Sequence, residues 1–350
     1  MIGKNEIIPV NVLTQKGVKA IQDVDIGDTV FEYKTSRPLK VYDIKRYRVE
    51  PVYEVTYTDK RKEFYSIQDY IYTGYSIIPL IRLLRYPNET KLGVIKMHQT
   101  DFELPGTIRD ELTLDPYIVG ALLMHGDIDD EYVNLPMDRD AADNFFSHKY
   151  SLNFGNRIGS NKVYYKYNGD TPESLITWKE FFKGMNCYAV TKDARSPFIP
   201  DEYKYGTLND RWQFVRGAFD IGYHEKVFSD HIGINSFSEY RFKELQSILW
   251  SLGVESLIRY DPDMISAKGR KYRLDVVGTN DGYPGLFYDI YAMENTIYND
   301  NTIPKRIHKK YRLMIEDIKP YTDGVIYNLE LVGGKKLMYL TDQYLPRVSL

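Results

Sequence analysis

The chain contains 350 residues, of which 43% are hydrophobic and 27% are charged, and its formal net charge is -3. This composition is that of a folded protein long enough for two domains, each with its own core. The small acidic excess argues against a protein whose main task is to grip duplex DNA, because phosphate neutralisation normally requires a basic surplus. The single cysteine, Cys187, excludes an internal disulfide framework and a multi-cysteine zinc site.

No segment has the character of a membrane anchor. The first residues lack an apolar core long enough for a signal peptide, and the longest apolar stretch, around 75–84, is interrupted by Pro79 and Arg82. We therefore expect a soluble protein without membrane insertion, made in the cytoplasm of its host. Its 32 tyrosines, together with abundant Asn, Asp, Lys and Ile, are typical of an AT-rich genome and favour a bacteriophage or bacterial source.

The first 105 residues predict short β-strands, because β-branched and aromatic residues alternate with polar ones between turn residues. Strands are expected at 10–14, 28–33 and 52–57. The turn at 56–62, with its flanking basic residues, is expected to be a solvated hairpin tip.

Residues 106–302 differ in character and predict helices that alternate with strands. Helices are expected at 115–124, from about 139, at 208–220 and at 238–252, and strands at 132–135, 162–167, 231–235, 257–260 and 271–277. This order occurs twice, which predicts an internal duplication with repeats at about 106–195 and 196–302. Residues 303–350 return to strands, at 324–331 and 337–341. The predicted fold class is mixed, with an all-β domain split by an inserted α/β domain.

The outer β segments begin with a recognisable motif. Residues 12–30 contain a strand, a turn glycine at Gly17 and then the run Ile26-Gly-Asp-Thr-Val30. This stretch resembles the opening block of a Hint domain, the self-splicing fold of inteins and hedgehog autoprocessing proteins. The resemblance implies a Hint-like all-β domain assembled from residues 1–105 and 303–350.

The residues that an intein needs for splicing are replaced in this sequence. An intein uses a Cys or Ser nucleophile at its first residue, a Thr-x-x-His block, and a terminal His-Asn pair. At these positions the sequence has Asn5, Ile67, Tyr70, Arg347 and Val348. We expect no splicing, because the nucleophile, the polarising histidine and the cyclising amide are all missing. Ser349 matches the residue that follows an intein and is expected to be an ordinary tail residue.

The inserted segment resembles a double-motif LAGLIDADG homing endonuclease. The resemblance is carried by residues 117–127, 195–202, 211–223 and 234–254. It implies a pseudo-two-fold α/β domain with αββαββ-type repeats, in which each motif helix ends in a carboxylate that binds a divalent metal. His125 and Gly222 occupy those two positions, so no nuclease chemistry, metal or other cofactor is expected. Asp127 and Asp220 are weak candidates for displaced metal ligands, against the simpler interpretations of a solvated acidic loop and a helix-end residue.

Two further features of the inserted segment predict contacts. Gly120 and Gly217, one on each motif helix, are expected to allow close helix–helix contact where the helices cross. A basic run falls on the sheet that would form the DNA saddle of an active relative. Its candidate nucleic-acid contacts are Lys268, Arg270, Lys271 and Arg273. The alternative is a solvated or protein-facing surface.

The leading hypothesis is a catalytically inactive intein and homing-endonuclease relic, used as a structural or assembly component of a bacteriophage virion or tail. Its expected partners are other protein subunits, because tyrosine-rich surfaces and the open edge strands of a Hint domain favour protein contacts. One alternative is a non-cleaving protein that binds duplex DNA through the saddle. A second alternative is an active endonuclease with displaced metal ligands. No small-molecule substrate is expected.

Overall fold

The computed structural model describes residues 7–86, 95, 100, 116–125, 127–128, 133–135, 154–155, 163–165, 199–222, 232–236, 239–266, 269–278, 313–334 and 336–349. The chain divides into two compact units. The first unit comprises Met1–Gly106, Trp250–Glu255 and His308–Leu350, and the second comprises Thr107–Leu249 and Ser256–Ile307. None of the helices in the described ranges is both long and apolar enough to cross a membrane.

The described elements are mostly short strands, with a few helices. The strands are β1 Asn11–Thr14, β2 Gly17–Ala20, β3 Thr29–Phe31, β4 Pro38–Tyr57, β5 Lys62–Tyr65, β6 Tyr70–Tyr72, β7 Ile77–Pro79, β8 Asp127–Ile128, β9 Val133–Leu135, β10 Phe154–Gly155, β11 Val163–Tyr165, β12 Ile232–Ser236, β13 Glu255–Ser266, β14 Gly269–Gly278, β15 Ile315–Leu331, β16 Met338–Leu340 and β17 Pro346–Val348. The helices are α1 Leu80–Arg85, α2 Pro116–His125, α3 Asp201–Lys204, α4 Leu208–Gly222 and α5 Glu239–Ser251.

The first unit is organised around one long antiparallel pair, β4 with β15. A six-stranded sheet runs in the order β15-β4-β3-β1-β2, and β5 also pairs with β4. The β4–β15 pairing extends from Tyr57–Ile315 to Val41–Leu331 and contains several register shifts. Two small antiparallel sheets, β6-β7 and β16-β17, complete the described strands of this unit. This mostly β architecture is compatible with a Hint-like all-β domain.

The length of β4 departs from the sequence prediction, which placed a strand only at 52–57. The observed strand begins at Pro38 and has 20 residues. Its first half is rich in charged side chains, such as Lys40 and Arg46, and therefore lacks the clean alternation that indicates a half-buried strand. Pairing with β15 supplies the backbone hydrogen bonds and forms the strand despite this pattern.

The Ile26–Val30 motif forms a tight turn that is closed by a buried carboxylate. Gly27 has a positive φ of 91°, which glycine adopts without the steric cost of a Cβ. Asp28 is buried and accepts hydrogen bonds from the Asp25 amide at 3.1 Å, the Lys19 ammonium at 2.8 Å and the Lys16 ammonium at 2.6 Å. Hydrogen bonds from Gly27 N to Val41 O and from Val41 N to Asp28 O, both 2.8 Å, tie the turn to β4.

The apolar core of the first unit joins residues from both ends of the chain. One cluster of fully buried side chains includes Val12 of β1, Val30 of β3, Leu329 of β15 and Tyr339 of β16. A second cluster includes Ile8, Val49, Val52 and Ile326. Because each cluster draws on residues before 60 and after 320, the N-terminal and C-terminal segments form one core.

The second unit contains α2, α3, α4 and most of α5, together with two antiparallel sheets. The sheets have the strand orders β10-β11-β9-β8 and β12-β14-β13. Helix α4 begins after Thr207, whose hydroxyl accepts a hydrogen bond from the Asp210 amide at 3.2 Å and so caps the helix. Its buried face contains Phe214, Val215 and Phe219. Most of the described helices and strands of this unit lie close to predicted ones, and the helix predicted from about 139 lies outside the described residues. The LAGLIDADG assignment of the unit stays a prediction.

The predicted close approach of α2 and α4 at two glycines is confirmed. A Cβ built on Gly120 would overlap the carbonyl oxygen of Phe214 in α4. A Cβ built on Gly217 would overlap the carbonyl oxygen of Tyr117 in α2, and it would lie 3.1 Å from the Ala121 amide nitrogen. The two helix backbones therefore touch directly, and any larger residue at either position would force them apart.

Candidate functional site: a buried arginine cluster in the first unit

The C-terminal strand β17 lies inside the first unit. Arg347, at its centre, has 0% of its surface exposed, and Val348 and Ser349 are also buried. The Ser349 amide donates to Leu337 O at 2.7 Å, so Ser349 is part of the packed structure and not the loose tail residue that the sequence predicts. Burying a guanidinium is costly unless it is hydrogen-bonded and paired with opposite charge, so its surroundings determine whether this strand is stable.

Backbone carbonyls and an aromatic ring surround the Arg347 guanidinium. Its Nη1 donates to Phe64 O at 2.8 Å, and its Nη2 donates to Tyr327 O at 3.4 Å. The guanidinium lies 4.8 Å from the centre of the Tyr65 ring, within the range of a cation–π interaction. These contacts link β17 to β5 and β15.

Two buried carboxyl groups face the same guanidinium. Glu63 of β5 approaches Nη1 at 3.7 Å, and Asp69 approaches Nη2 at 3.7 Å. Burial outweighs the opposing effect of Arg347 and raises the pKa of Glu63 to about 7. The pKa of Arg347 is raised by the neighbouring phenols and carboxyls against the lowering effect of its burial, so it stays charged at every accessible pH. Arg347, Glu63, Asp69 and Asn328 are called the Arg347 cluster below.

Asp69 is positioned by the turn that precedes β6. Its amide donates to Ser66 O at 3.0 Å, while its Oδ2 accepts from the Ser66 amide at 2.8 Å. Its Oδ1 accepts from Asn328 Nδ2 at 3.1 Å. Asn328 also donates to Val348 O at 3.2 Å and accepts from the Tyr339 hydroxyl at 2.9 Å. The cluster thereby joins the 66–69 turn, β15, β16 and β17.

The cluster contains the positions that the resemblance assigned to the end of an intein. Arg347 is a structural cation held by carbonyls and carboxyls, and Val348 has no side-chain amide. Tyr70 lies on β6 next to Asp69, and the Lys336 ammonium lies 4.3 Å from its ring centre. Ile67 lies in the 66–69 turn, and Asn5 lies outside the described residues. The described arrangement holds β17 against β5 and β15, and the loss of splicing chemistry stays a prediction.

Sequence reasoning did not identify Glu63, Asp69 or Asn328. Glu63 and Asp69 lie more than 200 positions before Asn328 and Arg347, and none of the three belongs to a motif with a fixed local spacing. The available signal was an arginine within an otherwise apolar strand, Leu345 to Val348, because a buried arginine requires buried acids nearby.

The predicted hairpin tip at 56–62 is confirmed in part, because the turn joins β4 to β5 and exposes Lys60 and Lys62, but Arg61 is not solvated. Arg61 is only 3% exposed, and its Nε donates to Asp59 Oδ2 at 2.7 Å. Its Nη1 donates to Gln343 O at 2.5 Å, and its guanidinium lies 4.4 Å from the Trp250 ring centre. The burial of Arg61 was missed because its partners, Trp250 and Gln343, are distant in sequence.

The positions that the LAGLIDADG resemblance assigned to a metal site lie at the ends of described elements. His125 and Gly222 are the last residues of α2 and α4, Asp220 lies within the final turn of α4, and Asp127 begins β8. Across the described ranges, no three His, Cys, Asp or Glu side chains come together in an arrangement that could hold a metal ion.

The predicted nucleic-acid contacts have different environments. Arg270 and Lys271 lie on β14, and Lys268 lies outside the described residues. Arg273 forms an ion pair with the fully buried Asp275, which also pairs with Arg259 at 3.0 Å. The single carboxylate of Asp275 is therefore shared between Arg273 and Arg259. A nucleic-acid contact through this run stays a prediction.

No protein-family model matches the sequence, and no curated protein is significantly similar to it. Among solved structures, the chain is similar to the crystal structure of the gp41-1 intein and to that of a triple-substituted variant of the same intein. Each similarity has 19% identity and a TM-score of 0.19. Each covers 21% of this chain and 56% of the intein chain, so the match includes little more than half of those inteins.

Proposed function

We propose that this chain is a catalytically inactive intein-like protein that serves as a protein-binding structural component of a larger assembly. A bacteriophage virion or tail is the setting that its AT-rich composition favours. The two ancestral chemistries suggested by the sequence both lack their reactive residues, while two compact units remain folded. A scaffold that persists without its chemistry needs another use, and binding other subunits is the simplest one.

The observation that carries the inactive assignment is the Arg347 cluster. At the end of an active intein, a cyclising asparagine must be able to move and react. In this chain the same segment is buried, and Arg347 is held by two carbonyls, two carboxyls and a ring. This arrangement is suited to a strand that stabilises the fold. It opposes the movement that a cyclising asparagine at the end of this segment would require.

The protein-binding part of the proposal rests on exposed aromatic side chains. Tyr75 is 77% exposed, Tyr42 is 66% exposed and Tyr86 is 60% exposed, all in the first unit. Tyrosine buries a large ring while its hydroxyl keeps a hydrogen bond, so it suits interfaces with other proteins. Tyr42 and Tyr75 have the largest exposed fractions of the three, 66% and 77%, and are therefore the first positions to test.

Strand addition is a less suitable mode of binding, contrary to the expectation of open edge strands. The outer edge of β15 contains Pro320, which has no amide hydrogen, between the exposed Asp317 and Asp323. Proline and charged residues protect an edge from pairing with another chain. At the other end of the sheet, β2 has only four residues. Partners are therefore expected to contact side-chain surfaces and not strand edges.

The experiment has two arms. Mass spectrometry of purified particles from the source phage or cell should detect the chain at a stoichiometric level. Pull-down from particle extracts should capture a defined partner, and Tyr42→Ser with Tyr75→Ser should weaken capture. The matched control is Tyr240→Ser, which removes a tyrosine that is 45% exposed on the second unit. Absence from particles, with no specific partner in the extract, would refute the proposal.

DNA binding without cleavage is a second candidate, and one observation favours it. On the β12-β14-β13 sheet, Tyr260 is 42% exposed and its ring centre lies 5.8 Å from that of Tyr272. Exposed aromatic rings beside arginines can contact nucleic acid. Duplex binding that weakens steeply as salt rises would support this candidate, because phosphate contacts release counterions. Specific cleavage in Mg²⁺ or Mn²⁺ would instead indicate an active endonuclease in which Asp127 or Asp220 supplies the metal ligand.

A further inference from the structure

The Arg347 cluster contains one buried positive charge and two buried carboxyl groups. Glu63 is 4% exposed, Asp69 is 1% exposed and Arg347 is fully buried. Both carboxyls lie 3.7 Å from the guanidinium, on different nitrogens. If both were ionised, the cluster would carry an uncompensated negative charge in a medium of low polarity, which is strongly unfavourable.

The two carboxyls have different surroundings. Asp69 accepts hydrogen bonds from the Ser66 amide at 2.8 Å and from Asn328 Nδ2 at 3.1 Å. Glu63 accepts a side-chain hydrogen bond from Thr341, but its burial is the largest influence and favours its protonated form. The titratable and charged groups that face it are Arg347 of β17, Asp342 in the turn between β16 and β17, Arg61 next to β5, Tyr57 of β4 and Tyr65 of its own strand. The carboxyl of Asp342 is a second negative neighbour, so the proton belongs on Glu63.

We propose that Glu63 is the proton-carrying member of a pH-sensitive latch that holds the C-terminal hairpin β16–β17 in the first unit. With its proton, Glu63 leaves Arg347 and Asp69 as a balanced ion pair around β17. Loss of the proton adds a negative charge beside Asp69 and Asp342 and loosens the hairpin. The latch is therefore tightest in acidic solution and loosens as the pH rises through neutrality.

The direction of this effect follows from proton linkage. Burial raises the pKa of Glu63 from 4.5 to about 7. Between these two values the closed protein keeps a proton that the open form has released, so a rise in pH favours opening. The stabilisation is complete below the ordinary value and is lost as the pH passes through about 7.

We expect the hairpin to respond because several of its attachments meet at the cluster. Arg347 bonds to Phe64 O and Tyr327 O, and Asn328 bonds to Val348 O. Within the hairpin, β16 and β17 pair only from Met338–Val348 to Leu340–Pro346. A hairpin of this size is not stable by itself in water, so its position depends on contacts with the rest of the unit, of which the cluster provides a part. The others include hydrogen bonds from Tyr33 N to Met338 O at 2.9 Å and from Arg61 Nη1 to Gln343 O at 2.5 Å.

Hydrogen exchange of the full chain, followed by mass spectrometry and corrected for intrinsic exchange rates, tests the latch. The amides of 338–349 should exchange about tenfold more readily at pH 8.5 than at pH 6, relative to their intrinsic rates. Glu63→Gln keeps the shape of the side chain without a titrating proton and should abolish this increase. Glu54→Gln is the matched control, because Glu54 is also nearly buried in the same sheet but pairs with Lys62 and Lys319. The control should keep the wild-type pH response.

A pH-independent protection of 338–349 in the wild-type chain would overturn the proposal, as would an unchanged pH response in Glu63→Gln. A second measurement covers a variant that fails to fold. The side-chain carboxyl of Glu63, followed by carbon NMR in the wild-type protein, should titrate near pH 7. A midpoint at its ordinary value near 4.5 would show that Glu63 carries no proton at neutral pH.

Discussion

Gly120 and Gly217 occupy reciprocal positions at the crossing of α2 and α4, each where a Cβ would meet the backbone of the other helix. The overlapped atoms are the carbonyl oxygens of Phe214 and Tyr117, which cannot move without moving a helix. Small residues at both positions allow the helices to pack backbone against backbone. The second unit therefore depends on two residues that have no side chain.

Gly217→Ala should destabilise the second unit by about 1–3 kcal/mol, because the added methyl group forces the helices apart. Thermal or denaturant unfolding of the full chain measures the change. Asn209→Ala serves as the control, because it changes an exposed residue in the first turn of α4 and should shift stability by no more than about 0.5 kcal/mol. Equal effects of the two substitutions would contradict the tight crossing.

Arg347→Met should destabilise the first unit by about 3–5 kcal/mol, because it leaves buried carboxyls without their cation. Adding Glu63→Gln and Asp69→Asn to Arg347→Met should recover part of this loss, since the unpaired acids are then removed. The free energies of unfolding of the single, double and triple variants give the coupling free energy among the three side chains. Lys319→Met, at a half-exposed cation in the same sheet, is the control. Additive effects without recovery would mean that the three side chains do not act as one cluster.

Asp28→Asn should weaken the turn between Asp25 and Thr29 in a pH-dependent manner. Burial tends to raise the pKa of Asp28, but the hydrogen bonds from Lys16 and Lys19 outweigh it and lower the pKa well below the ordinary 3.8. A lowered carboxyl pKa stabilises the fold above the ordinary value, and this stabilisation is lost as the pH falls through the folded-state pKa. The stability gap between wild type and Asp28→Asn should thus be constant near neutrality and should shrink below about pH 4. A gap that stays constant down to the acid-unfolding region would contradict the ion-pair role.

The chain should neither splice nor cleave itself when placed between two reporter domains. Asn5, Tyr70 and Val348 stand at the three reactive positions, and Arg347 is held in its buried cluster. A denaturing gel after prolonged incubation should show only the full-length fusion. An active intein in the same reporters serves as the positive control, and a ligated reporter product from this chain would overturn the inactive assignment.

The sequence predicted the helices and strands better than it predicted which distant residues contact one another. Helix α4 was predicted at 208–220 and observed at Leu208–Gly222, since its apolar spacing and cap are local signals. The glycines of the helix crossing were found for the same reason. The length of β4, the burial of Arg61 and the acids around Arg347 were missed. Each of them depends on residues from distant parts of the chain, such as β15 or Trp250, which no local pattern reveals.

The pairing of β4 with β15 has a consequence for the order of folding. Lys60 and Glu316, which bond across the end of this pair, are 256 residues apart in the chain. During synthesis β4 leaves the ribosome long before β15 exists, so its hydrogen-bonding edge remains open until almost the whole chain is made. Long-range pairing of this kind slows folding and exposes strands to aggregation. The charged residues in the first half of β4 made the strand difficult to predict from the sequence. The same charges oppose aggregation of β4 before β15 has been synthesised.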